Sequence, residues 1–316
     1  MVFEKLKGII KGYILCFIGV FIWSFTEIIV KFLQGEIGPI SLSFLRFFIG
    51  GMFLLGMIGF RRNSIKNLRD LGTLLRKYKW LFIFGGIFGF GISNLLYFIG
   101  LQFTQANVGS ALYTTYPIFI SIYSVFILNE RSNLKLKSIG FLIGITGTTI
   151  LITNFQINLL IDPQNILGNI LIVSAAAIWS IYSVIGKVIF NRANNIKNIE
   201  IKYTLISCFL AALPNFVLIG FTSEFNNFLI YTWEEWIIIL ILGTTSTALS
   251  IYLFFKGVQK IEVSKGISLA LFKPVIATIF SFIILFEVPT LALLIAFPLI
   301  IIAVLLINNP FKKSLN

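Results

Sequence analysis

The 316-residue sequence has no histidine and only two cysteines. Histidine is the commonest metal ligand and general base, and no cluster of the remaining side chains resembles a metal site or a nucleophile with its base. We therefore expect no enzyme activity, no metal and no cofactor. Cys16 and Cys208 lie in long apolar runs, which excludes a structural disulfide between loops outside the membrane.

Charged residues are also scarce. They make up 12% of the sequence, whereas hydrophobic residues make up 58%. A chain of this composition has too little polar surface to cover a soluble globule of 316 residues. The sequence therefore predicts an integral membrane protein of the all-α transmembrane class, in which each helix crosses the hydrocarbon core with about 20 apolar residues.

The apolar runs predict ten transmembrane helices, here called span 1 to span 10. They cover about residues 12–31, 41–60, 80–101, 107–127, 137–153, 166–190, 203–221, 236–255, 266–286 and 291–307. The longest polar connection joins spans 2 and 3 and predicts either a short amphipathic helix on the cytoplasmic surface or a flexible loop. Its apolar residues Leu68, Leu71, Leu74 and Leu75 fit the helix.

Basic residues outnumber acidic ones by 25 to 12, and their positions indicate the orientation of the chain. Of the 25, 21 lie before span 1, after span 10 or in alternate loops, and the intervening loops contain none. By the positive-inside rule, both termini are expected in the cytoplasm. The alternation also argues against nucleic acid as a partner, and the expected location is the plasma membrane of a prokaryote.

The second half of the sequence repeats the first. Seven residues recur 156 positions later, from Gly12, Ile14, Leu15, Ile22, Trp23, Ser24 and Lys31 to Gly168, Ile170, Leu171, Ile178, Trp179, Ser180 and Lys187. Seven more recur at 157, from Gly86, Gly100, Gln102, Gly109, Leu112, Pro117 and Glu130 to Gly243, Gly257, Gln259, Gly266, Leu269, Pro274 and Glu287. Because each copy, 1–155 and 156–316, has five spans, the two are expected to have inverted topology.

Several motifs in these repeats resemble a known family. The run YFIGLQFTQAN at 97–107, Pro117, the run LNER at 128–131, and Gly140, Gly144 and Gly147 resemble the EamA domain of the drug/metabolite transporter superfamily. The second copy offers Tyr252, Gly257, Val258, Pro274 and Glu287, and Arg46 matches an arginine typical of the second span. The last span departs from the family, because Ala292, Pro298 and Ala303 occupy a stretch where glycines are usual.

The resemblance implies a secondary transporter of small organic metabolites, an exporter or an exchanger. Similar proteins enclose a central cavity between spans 1, 3, 4, 6, 8 and 9 and open it to the two sides of the membrane in turn. An inverted repeat gives this alternating access a physical basis, because exchanging the conformations of the halves exchanges the open side.

Charged side chains inside spans are the first candidates for substrate binding, because each costs about 2.5–3.5 kcal/mol at the bilayer centre. Glu27 would bind an amine or exchange a proton beside Trp23, or pair with Lys31 at i+4. Lys273 would hold a carboxylate or phosphate, extend towards the cytoplasm, or pair with another helix. Arg46 and the span-end residue Glu130, like its repeat Glu287, are expected to make structural contacts.

Polar and aromatic residues of the spans complete the predicted substrate site. They are Asn94, Tyr97, Tyr113, Trp179, Tyr182, Ser250 and Tyr252. Pro117 and Pro274 predict kinks in spans 4 and 9, where the carbonyls of Tyr113 and Ala270 would lose their helical donors. These carbonyls would coordinate substrate, or the kink would be satisfied by a neighbouring hydroxyl or water.

A carboxylate, an ammonium group and aromatic rings would suit an amino acid or a similar zwitterion or amine, and we expect export of such a compound. A nucleotide-sugar or sugar-phosphate exchanger is the alternative, since buried cations such as Lys273 and Lys187 would bind phosphate. A membrane scaffold or receptor without transport is a more remote one. The expected partners are the small-molecule substrate and the lipid bilayer, with a coupling proton or a counter-substrate left open.

Overall fold

The computed structural model describes residues 2–26, 29, 37–60, 64–104, 106–156, 163–222, 224, 230–285 and 290–308. Helices cover Val2–Trp23, Pro39–Gly59, Ser64–Phe82, Ser93–Gln102, Ala106–Tyr113, Tyr116–Leu128, Leu134–Thr153, Ile166–Arg192, Ile199–Ile219, Trp233–Ile241, Ser250–Val258, Val263–Ser268, Lys273–Leu285 and Leu291–Asn308. Shorter segments complete spans 3, 8 and 9, and these ranges contain no strand. The candidates Glu27, Lys31 and Glu287 lie outside the described residues.

Ten helical stretches are long and apolar enough to cross a membrane, which confirms the predicted number. The third stretch, Ile65–Gln102, is longer than one span. Its helix breaks at Tyr78, where φ is −120° and ψ is 25°. The connection before span 3 is therefore the predicted helix rather than a loop, but its leucines do not share one face: Leu74 is fully buried, whereas Leu68 and Leu75 are exposed.

The two repeats pack on each other through the same contact made twice. Span 1 packs against span 8, and its repeat counterpart, span 6, packs against span 3. A methyl group built on Gly257 would lie 2.5 Å from the Gly12 carbonyl oxygen, and one on Gly100 would lie 3.0 Å from that of Gly168. These two pairs are equivalent in the repeats.

The two equivalent contacts lie at opposite ends of the bundle. Gly12 also approaches Lys260 and Ile261, in the loop after span 8, whereas Gly168 approaches Phe103, in the loop after span 3. Because the second repeat makes the equivalent contact at the other end of the bundle, its orientation is inverted relative to the first. The odd number of spans in each repeat predicts this inversion. The end with the Lys- and Arg-rich loops is called the basic face below.

Spans 5 and 10 form another close pair, one from each repeat. The spacing of Gly140 and Gly147 lets the backbone of span 5 approach span 10, where their nearest neighbours include the carbonyl oxygens of Ala303 and Ala296. Both alanines are fully buried. Span 10 therefore lacks the glycines usual in the family without losing its tight packing, because the small residues of span 5 supply the space.

The predicted kinks at Pro117 and Pro274 are present. Span 4 is interrupted between Tyr113 and Tyr116, and span 9 passes through a tight 3-10 turn, Leu269–Phe272, before its second helix begins at Lys273. Each proline occupies the second position of the helix that follows. The sequence suggested that the carbonyl of Ala270 would lose its helical donor and be free. It is not free, because it accepts a hydrogen bond from the Lys273 amide.

A π-helical segment lies within span 3 and another within span 8, at Ile83–Ile92 and Leu242–Leu249. Subtracting the repeat offset of 157 from the second gives 85–92, so the two segments are equivalent. π-helical turns are rare and occur mostly at functional sites. The sequences of the two segments, IFGGIFGFGI and LGTTSTAL, have little in common. Because their positions are nevertheless equivalent, we attribute the π-helical turns to the repeated fold rather than to the local sequence.

We expect Gly257→Ala to lower the melting temperature of the purified protein in detergent. Its added methyl would lie 2.5 Å from the Gly12 carbonyl oxygen and 2.8 Å from the Cys16 nitrogen, both backbone atoms. Overpacking of this kind costs about 1–3 kcal/mol. Gly8→Ala is the control, because its added methyl would meet no atom within 4 Å apart from the neighbouring backbone of its own helix. Equal melting temperatures for Gly257→Ala and the wild type would contradict the close contact.

Candidate functional site

Aromatic side chains from spans 1, 4 and 6 meet where the two repeats face each other. The rings of Trp23 and Trp179, which are repeat counterparts, have centroids 5.3 Å apart. Tyr116 lies 4.9 Å from Trp179 and 6.2 Å from Trp23. The contact between two equivalent tryptophans marks the pseudo-twofold axis, and in the span-6 helix Trp179 is 13 residues from each end, at mid-membrane depth.

Lys273 reaches this axis from span 9. Its ammonium nitrogen lies 4.8 Å from the centroid of the Trp23 ring, the geometry of a cation–π interaction. Ten residues of helix separate it from Val263, which puts it roughly 15 Å into the span. Lys273, Trp23, Trp179, Tyr116 and Tyr113 are called the central cluster below.

The same pairwise contact occurs twice in the central cluster, at equivalent positions of the repeats, but with different side chains. Lys273 and Tyr116 are repeat counterparts, as are Trp23 and Trp179. The pair Lys273–Trp23 is therefore equivalent to the pair Tyr116–Trp179, but a cation faces the indole in the first and a neutral phenol in the second. The cluster is symmetric in shape and polarised in charge. Tyr116 was absent from the predicted site, although the 157-residue offset from Lys273 could have identified it.

A second pair of rings extends the central cluster towards the face opposite the basic one. Tyr113 packs against Tyr97 with centroids 4.6 Å apart and the ring planes tilted by 48°, and it lies 5.6 Å from Tyr116. Tyr97 lies five residues before Gln102, at the far end of span 3. Tyr97 and Tyr113 are partly exposed, whereas Tyr116 and Trp179 are 3% exposed. The rings therefore become more accessible with distance from the basic face.

Three predicted site residues make other contacts. Asn94 accepts a hydrogen bond of 3.0 Å from the Ser43 hydroxyl, which joins spans 3 and 2. Ser250 donates to the carbonyl of Ser246 one turn earlier. The Tyr252 hydroxyl bonds the Lys256 ammonium at 3.0 Å. The structure joins none of these three to the central cluster through a described contact, and their role in substrate binding stays a prediction.

Tyr182 lies between the central cluster and an aromatic core on the basic side. Its ring is 6.5 Å from Trp179 but stacks on Phe90 at 4.5 Å and on Tyr203 at 5.2 Å, and Phe255 packs edge-on at 5.3 Å. Tyr182 is completely buried. Its contacts are those of a packed core that separates the central cluster from the basic face.

Charged residues join the two repeats at the basic face. Glu130, at the end of span 4, accepts hydrogen bonds from the amides of Val263 and Ser264 at the start of span 9, as predicted for a helix-end contact. The Lys137 ammonium donates to Glu262 at 2.5 Å and to the Ser264 hydroxyl at 2.9 Å. These bonds hold the hairpin of spans 4 and 5 against the loop between spans 8 and 9.

The ion pair has no counterpart at the opposite face. The repeat counterparts of Lys137 and Glu262 are Leu294 and Gln105, so the equivalent pair cannot form. Burial raises the pKa of Glu262, but hydrogen bonds from Lys137 and Ser132 lower it by more, and the pKa lies below its ordinary value of 4.5. The carboxylate is therefore charged at neutral pH and stabilises the contact between the repeats.

Lys187 ends its span at the basic face too. Its ammonium donates to the carbonyls of Val258 at 2.6 Å and Ile261 at 2.9 Å, which close the end of span 8. A cavity of about 320 Å³ opens here, lined by Ile9, Tyr13, Glu130, Lys187, Lys260, Ile261, Glu262 and Lys265. Among the described residues, no three His, Cys, Asp or Glu side chains lie together as a metal site would require.

Ten apolar helices in two inverted five-helix repeats, with a polarised cluster on the axis between them, define a membrane transporter fold of the inverted-repeat class. The chain belongs to the EamA-like transporter family, whose model matches residues 10–153 and again residues 166–309. The predicted family is confirmed.

Named relatives match almost the whole chain. The uncharacterized transporter YoaV of Bacillus subtilis (strain 168) is 26% identical over 92% of this chain and 94% of its own length. The aromatic amino acid exporter YddG of Ancylobacter novellus is 24% identical, over 90% and 92%. The riboflavin transporter ImpX of Fusobacterium nucleatum is 25% identical, over 87% and 90%. A solved crystal structure that is 22% identical shares the fold with a TM-score of 0.76, over 94% of this chain and 96% of its own.

We expect Glu262→Gln to destabilise the protein at neutral pH, by about 1–3 kcal/mol, because Lys137 is 1% exposed and would lose its charged hydrogen-bond partner. The depressed pKa gives stability that is present above 4.5 and is lost as the pH falls through the pKa of the folded state. The difference in melting temperature between wild type and variant should therefore be largest at pH 7 and shrink below 4.5.

Lys265→Gln is the control for this measurement. Lys265 meets Glu262 at 3.5 Å and is 21% exposed, so its removal should cost less than about 1 kcal/mol. Equal losses in the two variants at pH 7, or a difference that does not change with pH, would contradict the assignment of the stabilisation to the buried pair.

Proposed function

We propose that this protein is an alternating-access secondary transporter that exports amino acids or similar zwitterionic or amine compounds. The observation that carries the proposal is the Lys273 ammonium at 4.8 Å from the ring of Trp23, which itself packs against Tyr116 and Trp179. A substrate held there would meet a cation on one side and uncharged rings on the other.

The chemistry of the central cluster suits a carboxylate attached to an apolar or aromatic body. Lys273 can leave the indole face and donate to a substrate carboxylate, a charge-assisted hydrogen bond that is strong away from water. The rings of Trp23, Trp179 and Tyr113 would pack against the body of the substrate. An aromatic amino acid exporter and a riboflavin transporter are among the relatives, and both names describe ring-containing substrates.

The two inverted repeats support alternating access. The cavity at the basic face is separated from the central cluster by the aromatic core around Tyr182, and the Lys137–Glu262 pair joins the repeats beside it. Tyr97 and Tyr113 are partly exposed on the other side. Exchange of the two repeat conformations would close the second side and open the first. Glu27 stays the proposed site for the substrate amine or for a coupling proton.

A nucleotide-sugar or sugar-phosphate exchanger is the second candidate. Lys273 would serve a phosphate as well as a carboxylate. Lys187, the other cation considered for phosphate, donates to the carbonyls of Val258 and Ile261 at the basic face. This engagement favours the carboxylate of an amino acid over the larger charge of a phosphate.

We expect a fluorescent protein fused after Asn316 to fluoresce and alkaline phosphatase fused there to be inactive, because the basic loops favour a cytoplasmic face and ten spans return the chain to the side where it began. The proposed location is the plasma membrane of a prokaryote. Fusions after Phe228, between spans 7 and 8, should give the opposite result. The reverse outcome at both sites would overturn the proposed orientation.

We expect Lys273→Met to lower transport of a proven amino acid substrate by about 10- to 100-fold, since a hydrogen bond to a charged group contributes about 1.5–3 kcal/mol. The measurement is counterflow in proteoliposomes with amino acids, amines and organic phosphates, and Glu27→Gln is tested in parallel. An organic phosphate as the only substrate would support the second candidate.

Lys79→Met is the matched control, because its ammonium also lies over an indole ring, 5.4 Å from that of Trp80, away from every predicted site residue. It should retain most of the wild-type transport. If transport of the proven substrate is unchanged in both Lys273→Met and Glu27→Gln, the proposed site is wrong.

A further inference from the structure

The helix Ser64–Phe82, which precedes span 3, carries five basic residues and one acid. We call it the surface helix. Its inner face is fixed to the bundle: Leu74 is fully buried, Asp70 pairs with Lys202 of span 7 at 2.6 Å, and the Tyr78 hydroxyl donates to the Arg192 carbonyl at 3.1 Å. The single carboxylate is therefore turned towards the protein.

The outer face of the surface helix combines cations with apolar side chains. Its exposed residues are Ile65, Lys66, Leu68, Arg69, Gly72, Thr73, Leu75, Arg76, Lys77, Lys79 and Trp80. Ile65 is 79% exposed and Trp80 is 63% exposed. A helix face in contact with water alone would not expose these apolar side chains. A face buried in the hydrocarbon of the bilayer would not carry these charged side chains.

The surface helix lies where the hydrocarbon of the bilayer ends. It leads directly into span 3, and its backbone breaks at Tyr78, four residues before the helix ends at Phe82. Beyond the break, Phe84 and Phe88 are exposed on span 3, as side chains that contact lipid would be. Trp80 therefore falls between the apolar surface of span 3 and the cations of the helix, the depth at which tryptophan is enriched in membrane proteins.

We propose that the outer face of the surface helix binds the headgroups of anionic phospholipids. The net charge of the helix is five cations against one acid, and Asp70 is neutralised by Lys202, so an anionic surface meets uncompensated positive charge. Each Lys or Arg near an anionic bilayer contributes attraction, and Ile65 and Leu68 enter the boundary between headgroups and acyl chains. This proposal is independent of the transported substrate.

The inner contacts give lipid binding a connection to the rest of the molecule. Tyr78 meets the end of span 6, which carries Trp179, and Asp70 meets the start of span 7. Lipid held by the outer face would therefore stabilise the surface helix in its position against spans 6 and 7. Soluble anions lack acyl chains and would not reproduce this effect.

The test is native mass spectrometry of the full-length protein in neutral detergent, titrated with phosphatidylglycerol or phosphatidylcholine. We expect wild type to retain phosphatidylglycerol in preference to phosphatidylcholine. Lys66→Gln/Arg69→Gln/Arg76→Gln/Lys77→Gln should lower this preference at least about tenfold. The control removes four exposed charges elsewhere on the basic face, Lys7→Gln/Lys11→Gln/Arg131→Gln/Lys135→Gln, and should keep the preference.

A second measurement does not depend on removing charge. Cys16 and Cys208 are free and completely buried, so a cysteine introduced as Gly72→Cys on the outer face can be labelled selectively with an environment-sensitive fluorophore. Its emission should shift to the blue in nanodiscs with phosphatidylglycerol relative to phosphatidylcholine, and glycerol phosphate should leave it unchanged. Equal emission in the two lipids, an equal loss in the control variant, or an equal response to glycerol phosphate would overturn the proposal.

Discussion

Close backbone contact between spans of different repeats is the constraint on which the structure depends. In a bilayer, helices gain little from burying apolar surface, so they associate where small residues let their backbones approach. Gly12 with Gly257 and Gly168 with Gly100 make this approach at the two ends of the bundle, and Gly140 and Gly147 make it between spans 5 and 10. These contacts position spans 1 and 6, and the central cluster forms where span 4 packs on span 6 and span 9 packs on span 1.

Most of the fold could be predicted because its signals are local or periodic. Apolar length gives each span, the alternating basic loops give their number, and the 156-residue offset between Trp23 and Trp179 gives the repeat. The breaks before Pro117 and Pro274 follow from proline chemistry. The hydrogen-bond partner of the Ala270 carbonyl could not be predicted, because it depends on a 3-10 turn. That turn forms as the whole span adjusts to its packing.

The candidate site was harder to predict, because it depends on which side chains meet across the chain. Trp23, Trp179 and Lys273 were predicted, and Trp23 contacts both of the others. Asn94 was predicted too, but it bonds Ser43, and nothing in the sequence around Asn94 distinguishes it from a residue that lines a substrate site. The pair Lys137–Glu262 joins residues 125 positions apart, and both lie near span ends where charge is ordinary. Only the inverted repeat carries long-range information, and it points to Tyr116 opposite Lys273.

The charge difference between the repeats has an energetic consequence. If the two repeats were identical, swapping their conformations would give a second state of the same free energy. The two states would then have equal populations. Here Leu294 and Gln105 stand where a mirrored Lys137–Glu262 pair would be, so one arrangement keeps an ion pair that the other cannot form. In the proposed alternating-access cycle, each 1.4 kcal/mol of this inequality would change the ratio of the two populations about tenfold, and the resting ensemble would be weighted to one side without any gradient or ligand.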